Sequence, residues 1–540
     1  MCSIDGYTGE TPFTIEQYGS LNANRGPDGT NYYKSPQISM AHSLLAIQPN
    51  ESHITQPVVN ELTGNVLAYN GEIFGMPNVF DTKYVMDLMD NGELGTLANK
   101  TNGMWAIAYY NRSEETLTLI RDHFGVKPLY YMELGDQLFF SSTPKPLLAA
   151  LNYKNFQIHA NNHGKFIWEN NDRFMYGKRT PINHIKRLAP GEMRVWCLKN
   201  KRWKLDGSLF QNEHFTLAPN YSYDADEFKE LAVKSIGEVC YAPGIKSTIA
   251  LSGGLDSSLI AGVCASLNIP VTATSTSFKK NNADHVSVND GMFTEAPMAR
   301  KTAKHHGMKF HTSYYHEDHN LRNESIDALT VPMWDRNRID PRYFNIKMAK
   351  KNKAKIYITG DCADELFTGY NGDNEIFHNP NAAQVDRADY AELIKTNEKW
   401  KHLSEVVKPE FLGYDAMNNK RFMRLICHGD GFATTTDHIA GSFGMESRLP
   451  FLHQELARYA LRIPSAFKLI GNDHNFGGYK YLIRDVLAEY LPDHVRERQT
   501  KIGFAAPWDA RDHELNIKIG QTDFDDYIEW ANNIQFPVDI

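Results

Sequence analysis

Three stretches of the 540-residue chain carry side chains whose types and spacing could do chemistry. The first is Ile249-Ala250-Leu251-Ser252-Gly253-Gly254-Leu255-Asp256-Ser257-Ser258, an apolar strand running into Ser-Gly-Gly, an acid, two serines and an apolar helix. Glycines let the main chain close on an anion, and the N–H groups of a helix start point at it. The hydroxyls of Ser252, Ser257 and Ser258 can donate to phosphate oxygens. Asp256 would repel a bare phosphate, so the pattern points to a polyphosphate carried with Mg2+. The plainer alternative, a glycine turn with Asp256 capping the helix, explains less of the complete strand–loop–helix unit. No Walker-type GxxxxGK[ST] is present. The second stretch follows an expected strand, Lys355–Thr359, and reads Gly360-Asp361-Cys362-Ala363-Asp364-Glu365-Leu366-Phe367-Thr368-Gly369-Tyr370. Asp361, Asp364 and Glu365 crowd together, which is costly without a cation, unless they simply complement a helix start. Lys480, in Gly477-Gly478-Tyr479-Lys480-Tyr481-Leu482, could add positive charge, although alone it reads as a solvated helix lysine.

The third stretch is the N-terminus. Removal of Met1 would expose Cys2 as the first residue, with a free α-amino group (pKa about 7.7–8.0) beside its thiol. That is an activated nucleophile needing no histidine. Alone, an early cysteine is as well explained by chance. Around it stand Arg25-Gly26-Pro27-Asp28-Gly29, Tyr69-Asn70-Gly71-Glu72-Ile73-Phe74, Asp81, and Arg121-Asp122-His123-Phe124-Gly125-Val126-Lys127-Pro128. An Asn70 amide and a Gly71 N–H together suit an oxyanion hole. Asp81 could bind a substrate ammonium. Read singly, each is a turn, and Asn-Gly is above all a hairpin signal.

The elements that must position these groups divide the chain. Residues 1 to about 205 read as strands with short turns: Gln37–Ile47, Val66–Tyr69 ending at Asn70-Gly71, a hairpin of Trp105–Tyr110 with Leu117–Ile120, then Gln137–Ser141 and Met193–Cys197. Lys83–Asn91 reads as helix. After a turn-rich stretch at 205–222, strands and helices alternate: helix Phe228–Val239, strand Ser247–Leu251, helix Ser257–Leu267, strand Val271–Thr276, helix Glu295–His306, helix Phe344–Lys351, strand Lys355–Thr359. Alternation argues a parallel sheet with helical crossovers, whose ligands bind at the C-terminal strand edge. Beyond Asp361 the chain reads as mostly helical.

Composition is that of a globular chain, 42% hydrophobic and 23% charged. A net charge of −8 argues against a phosphate-backbone binder. The six cysteines form no CxxC and no zinc spacing, which points to a reducing, cytoplasmic setting. No run approaches the roughly 20 apolar residues of a membrane span, and the N-terminus lacks the features of a signal peptide.

Met-Cys-Ser-Ile, RGPDG, YNGEIF and RDHFGVKPLYY resemble the glutaminase domain of class II, N-terminal-nucleophile glutamine amidotransferases. SGGLDSS resembles the pyrophosphatase-type loop of enzymes that split ATP to AMP and pyrophosphate. With TGDCADELFTGY, MESRLPFL and KIGFAAP it resembles the synthetase domain of glutamine-hydrolysing asparagine synthetases. The resemblance implies an α/β and α+β chain of two domains. Residues 1–207 would form an αββα glutaminase sandwich, and residues 208–540 an α/β parallel-sheet ATP-pyrophosphatase domain with a helical C-terminal part.

Carried over by position, Cys2 would be the glutaminase nucleophile, Asn70 and Gly71 its oxyanion pair, and Glu72 and Asp81 further glutamine contacts. Leu251, Ser252, Gly253, Gly254, Asp256, Ser257, Ser258, Thr276, Thr359 and Gly360 would hold ATP. Asp256 and Asp364 would bind Mg2+, and Asp361 and Lys480 would serve the chemistry. Glutamine, aspartate and ATP would be the substrates, with no nucleic acid or membrane partner and a homodimer through the N-terminal half.

Four departures stand out. Leu44 replaces the arginine that grips the glutamine carboxylate, which opens a role for ammonia as nitrogen donor. Thr359-Gly360-Asp361-Cys362 replaces Ser-Gly-Glu-Gly. His453 replaces an acid after Pro-Phe-Leu. Phe278–Met292 reads as an insertion or lid. A different carboxylate acceptor, a tRNA-modifying enzyme and a non-catalytic regulator are the alternatives to asparagine synthesis.

Overall fold

The computed structural model describes residues 2–47, 55–76, 80–160, 177–209, 223–278, 295–315, 324, 327, 328, 330, 336–369, 416–468, 480–498 and 526–537. The 210–222 stretch, most of the Phe278–Met292 insertion, Tyr370, Gly477–Tyr479 and KIGFAAP lie outside them. Among the described residues seventeen strands run in chain order: β1 Ser3–Thr8, β2 Gly29–Lys34, β3 Ile38–Leu44, β4 Val58–Val59, β5 Val66–Phe74, β6 Asn102–Asn111, β7 Thr116–Arg121, β8 Tyr130–Leu134, β9 Gln137–Ser141, β10 Lys186–Arg187, β11 Glu192–Cys197, β12 Arg202–Ser208, β13 Ser247–Ala250, β14 Val271–Phe278, β15 Phe310–Tyr315, β16 Ile356–Ile358 and β17 Glu446–Arg448.

The first twelve build two six-stranded antiparallel sheets, ordered β10-β8-β9-β1-β3-β2 and β12-β11-β7-β6-β5-β4. Alternation along each strand supplies two apolar faces. Ile4, Met40, Val66, Ala108, Leu119 and Phe140 meet between the sheets. On the outside of the first sheet, Tyr7, Phe13 and Phe139 pack with the helix Pro144–Tyr153. On the outside of the second, Tyr69, Ile107 and Ile120 pack under the helices Asp81–Asp90 and Leu94–Lys100. The layers are therefore αββα. Tyr527, Ile528, Ala531 and Phe536, from the far end of the chain, join the first outer layer.

The third sheet is parallel and five-stranded, ordered β15-β14-β13-β16-β17. The chain steps one way from β13 through β14 to β15, then returns to the other side of β13 for β16 and β17. Strand order reverses between β13 and β16, so a crevice opens at their C-terminal ends, where ligands of such sheets bind.

One expectation is corrected. Asn70-Gly71 does not end a strand: β5 continues to Phe74, with Asn70 opposite Ala106 and Gly71 opposite Trp105. Only glycine fits there, because a Cβ on Gly71 would lie 2.5 Å from the Met104 carbonyl. Beyond Asp361 the described residues are mostly helical, as expected, and Glu446–Arg448 adds the fifth parallel strand; three residues are too few for a period-2 pattern to show. Among the described residues, no helix is long and apolar enough to cross a membrane.

Candidate active sites

The crevice of the parallel sheet is lined by the two loops singled out in the sequence. One leaves β13 and enters the helix Leu255–Ser266. Gly253 has φ +78°, and a Cβ there would strike Met298 and Ala299 of the neighbouring helix Ala296–His305. The Ser257 hydroxyl accepts from the Ser252 N–H (3.1 Å), and the Ser252 hydroxyl accepts from the Gly254 N–H (3.2 Å). The loop is thus preformed by its own serines. Ser258 Oγ is buried without a protein partner, a donor in search of an acceptor.

The other loop leaves β16 and enters the short helix Ala363–Phe367. Gly360 lies against the first turn of the phosphate-loop helix, where a Cβ would come within 3.1 Å of both the Ser257 nitrogen and the Asp256 Cβ. The two loops therefore touch through a glycine. Thr276 is held by its hydroxyl to Ser313 Oγ and to the Pro341 carbonyl, each at 2.8 Å.

Lys480 is buried, not solvated: its Nζ lies 2.5 Å from carboxylate oxygens of both Asp256 and Asp364. Burial opposes its charge, but the two carboxylates win and raise its pKa well above the usual lysine range. Two acids that converge on one cation offer the hard oxygen donors that Mg2+ takes, with phosphate oxygens and water completing its shell. Among the described residues no group of three or more His, Cys, Asp or Glu side chains is arranged to hold a metal, so substrate oxygens would have to complete any site here.

Three residues at this crevice escaped the sequence. Arg342 grips both oxygens of Asp361, at 2.9 and 3.1 Å, while the Thr359 hydroxyl donates to the same carboxylate at 2.8 Å. Glu295, just ahead of the helix Ala296–His305, pairs with Arg498 at 3.1 Å. Burial pushes the Glu295 carboxyl up to about 7, against the pull of Arg498. Arg342 sits in a basic helix, Arg336–Lys351, and has no local signature. The only cue to Arg498 is its place ahead of Lys501-Ile502-Gly503-Phe504.

In the N-terminal sandwich, Cys2 directly precedes β1, which lies against β5 carrying Asn70 and Gly71. Arg25 Nε donates to the Cys2 carbonyl at 3.4 Å. Both side-chain amide atoms of Asn70 are buried without a protein partner. His42, on β3, is buried with Nε2 3.1 Å from the Tyr69 carbonyl, and burial lowers its pKa to about 3. Asp81 opens the helix Asp81–Asp90 and accepts from the Thr82 N–H at 2.7 Å. Glu72 lies 3.7 Å from Arg448 of β17. Leu44 closes β3, and His453 Nε2 lies 3.0 Å from Glu238.

The sandwich and the parallel sheet are joined through the helix Asp430–Ser442. Asp430 pairs with Arg121 (2.8 Å) and Arg187 (2.6 Å), and Asp437 with Arg25 (2.6 Å). Lys127 lies 3.5 Å from Glu446 of β17, which pairs with Arg448 at 2.8 Å. The RDHFGVKP turn is the docking piece. Its Asp122 carboxylate accepts the N–H groups of Phe124, Val126 and Lys127, and this turn aims Arg121 and Lys127 across the junction.

A family model described as asparagine synthase matches residues 245–517, and one described as glutamine amidotransferase domain matches residues 42–149. Asparagine synthetase [glutamine-hydrolyzing] 1 of Bacillus subtilis is 23% identical over 94% of this chain and 87% of its own length. Asparagine synthetase B [glutamine-hydrolyzing] of Escherichia coli is 23% identical over 92% of this chain and 81% of its own. The first of these matches spans half of the chain and takes in both crevice loops and Lys480: the chain belongs to the asparagine synthase family.

Proposed function

We propose that this chain makes asparagine from aspartate, ATP and glutamine, releasing AMP, pyrophosphate and glutamate, with residues 1–207 acting as the glutaminase and 208–540 as the synthetase. The observation that carries the reading is the convergence of Asp256 and Asp364 on buried Lys480 at the point where the strand order reverses.

In the sandwich, the Cys2 thiolate attacks the glutamine amide carbon, its proton passing to the freed α-amino group. The unpartnered Asn70 amide, with the Gly71 N–H, receives the oxyanion. Ammonia leaves, and water releases glutamate from the thioester. Asp81 takes the glutamine ammonium.

At the crevice, Ser252–Ser258 cradle the phosphates of ATP, while the backbone at Leu251, Thr276, Thr359 and Gly360 borders the nucleoside. Asp256 and Asp364 would hold a Mg2+, which when bound neutralises polyphosphate charge. The aspartate β-carboxylate displaces pyrophosphate from the α-phosphorus, giving β-aspartyl-AMP. Ammonia then displaces AMP. Lys480 stands where negative charge grows on the departing pyrophosphate. Asp361, fixed by Arg342, lies on the same loop as the acceptor of the ammonia proton. Ammonia at neutral pH survives only where water is excluded, so it passes between the sites through the interior.

We place the work in the cytoplasm, consistent with cysteines that form no disulfide at Cys197, Cys240, Cys264 and Cys362 among the described residues. Homodimerisation is an expectation of the resemblance, checked by light scattering. Leu44 favours a second reading in which ammonia is the working donor. One experiment separates them: product analysis with aspartate, Mg2+-ATP and either glutamine or ammonium, for the wild type and Cys2→Ala. The proposal expects Cys2→Ala to lose glutamine-dependent synthesis and keep the ammonia-dependent reaction. Wild-type synthesis from ammonium but not from glutamine supports the second reading, and ADP in place of AMP refutes both.

A further inference from the structure

The ion pair Glu295–Arg498 lies beside the phosphate loop without a part in the chemistry above. Arg498 Nη2 is 3.1 Å from Glu295 Oε1, and Nη1 donates to the Gly253 carbonyl at 3.5 Å. The Ser252 hydroxyl donates to Glu295. The pair therefore bears on the two residues that open the loop. Its side chains keep 14% and 12% of their surface, enough to meet a ligand and too little for a solvated surface pair. The segment that carries Arg498 is tied back to the Lys480 element, because Arg484 donates to the carbonyls of Arg496 and Arg498.

Charge decides what such a pair is for. Asp256 and Asp364 already share Lys480, and Glu295 adds a third carboxyl beside the loop, so Lys480 alone does not balance an incoming polyphosphate. Beyond any Mg2+ carried with the nucleotide, Arg498 is a further cation set against the loop. A guanidinium suits it, because its planar fork meets two phosphate oxygens at once.

Resting on the ATP-dependent reading above, we propose that Arg498 is a phosphate-binding residue that exchanges its partner Glu295 for a phosphate of ATP in the Ser252–Ser258 loop. Glu295 then keeps the Ser252 hydroxyl and the start of the helix Ala296–His305, so the exchange strands no charge. Glu295 acts as a competitor that a more highly charged anion displaces.

The test is steady-state pyrophosphate release from aspartate and ammonium at varied Mg2+-ATP, with Mg2+-ATP affinity by calorimetry and glutaminase rate as a folding control. Arg498→Met should raise the KM for ATP and weaken its binding about 10–100-fold, the range of a charge-assisted contact. Arg498→Lys should recover part of that loss. Glu295→Gln should lower the KM for ATP, and adding Glu295→Gln to Arg498→Met should change nothing further. Glutaminase should stay unchanged in each. If Arg498→Met binds Mg2+-ATP as the wild type does, or if Glu295→Gln weakens ATP binding as much as Arg498→Met, the exchange is overturned. If the wild type binds Mg2+-ATP but forms no AMP with any carboxylate, the synthetase reading falls, while the calorimetric arm still judges Arg498.

Discussion

Asp430→Ala strikes the junction between the sandwich and the parallel sheet. Its carboxylate is fully buried and holds Arg121 and Arg187, each 1% exposed. Burial already lowers the pKa of Arg187, with Asp430 as the opposing pull. Removing the carboxylate leaves two guanidiniums in the interior without their anion. Arg121 retains the carbonyls of Lys127 and Leu188, and Arg187 that of Gly177, so the loss is of charge balance more than of hydrogen bonds. Breaking a buried pair from one side costs about 3–5 kcal/mol. At about 2 °C per kcal/mol for a unit of some 250 residues, the melting midpoint should fall by about 6–10 °C. Calorimetry checks this. The apolar combination Arg121→Met, Arg187→Met, Asp430→Leu should recover most of the loss, because a packed hydrophobic set of similar volume replaces a buried triad at little cost. A fall of under 2 °C for Asp430→Ala would refute the reasoning, since the network would then be solvated or redundant.

Asn70→Ala should reduce glutamine hydrolysis about 10²–10³-fold, the worth of one oxyanion donor, with ammonia-dependent synthesis retained; both rates are read in the same preparation. Lys480→Met should abolish pyrophosphate release while sparing glutaminase, because it leaves Asp256 and Asp364 facing each other and the loop. Gly71→Ala should destabilise the sandwich and cut glutaminase together, since its Cβ has no room beside Met104 and Trp105. His42 has its pKa lowered in the fold, so the unfolded chain binds the extra proton: stability is full above about 6.5 and lost as pH falls toward 3. Replacing His42 by Asn should flatten the fall of the melting midpoint across that window.

The chemistry was legible where it lies in one continuous stretch. SGGLDSS and TGDCADE could be read because strand, glycine and acid follow each other within ten residues, and β13 and β16 then bring them together. Asn70-Gly71 was legible as a pair and misread as a turn. Asn-Gly favours hairpins locally, but β6 and the crowding at Gly71 hold the strand straight, a case of tertiary contacts overriding local preference. Lys480 was legible only through the resemblance and reads on its own as a solvated lysine, for the opposite reason. Its neighbours in sequence are ordinary helix residues, and its two carboxylate partners lie 116 and 224 residues away. Arg342, Glu295 and Arg498 are invisible on the same ground: each is defined by a partner distant in the chain. The ion network behind RDHFGVKP could have been suspected from an arginine and a lysine flanking a tight turn, but the acids that receive them, Asp430 in a helix and Glu446 in β17, sit about three hundred residues on.

That helix, Asp430–Ser442, gives the two sites a common footing. On adjacent residues it carries Asp437, which fixes Arg25 against the Cys2 carbonyl, and Thr436, whose hydroxyl meets Arg342, the residue that clamps Asp361. From Cys2 to Asp361 the path is therefore two contacts through Arg25, one peptide step and two contacts through Arg342. Every group along it is buried or half-buried, and its charges lie in opposed pairs. A chain of this kind resists small shear, because moving either end separates charges in a low-dielectric interior. On the reading proposed above, ammonia made at the Cys2 end is used at the Asp361 end, and a link of this length would hold the two in register. Any displacement of the helix should then lower glutamine-dependent synthesis more than it lowers glutaminase or ammonia-dependent synthesis taken separately, since only the coupled reaction needs both ends in place at once.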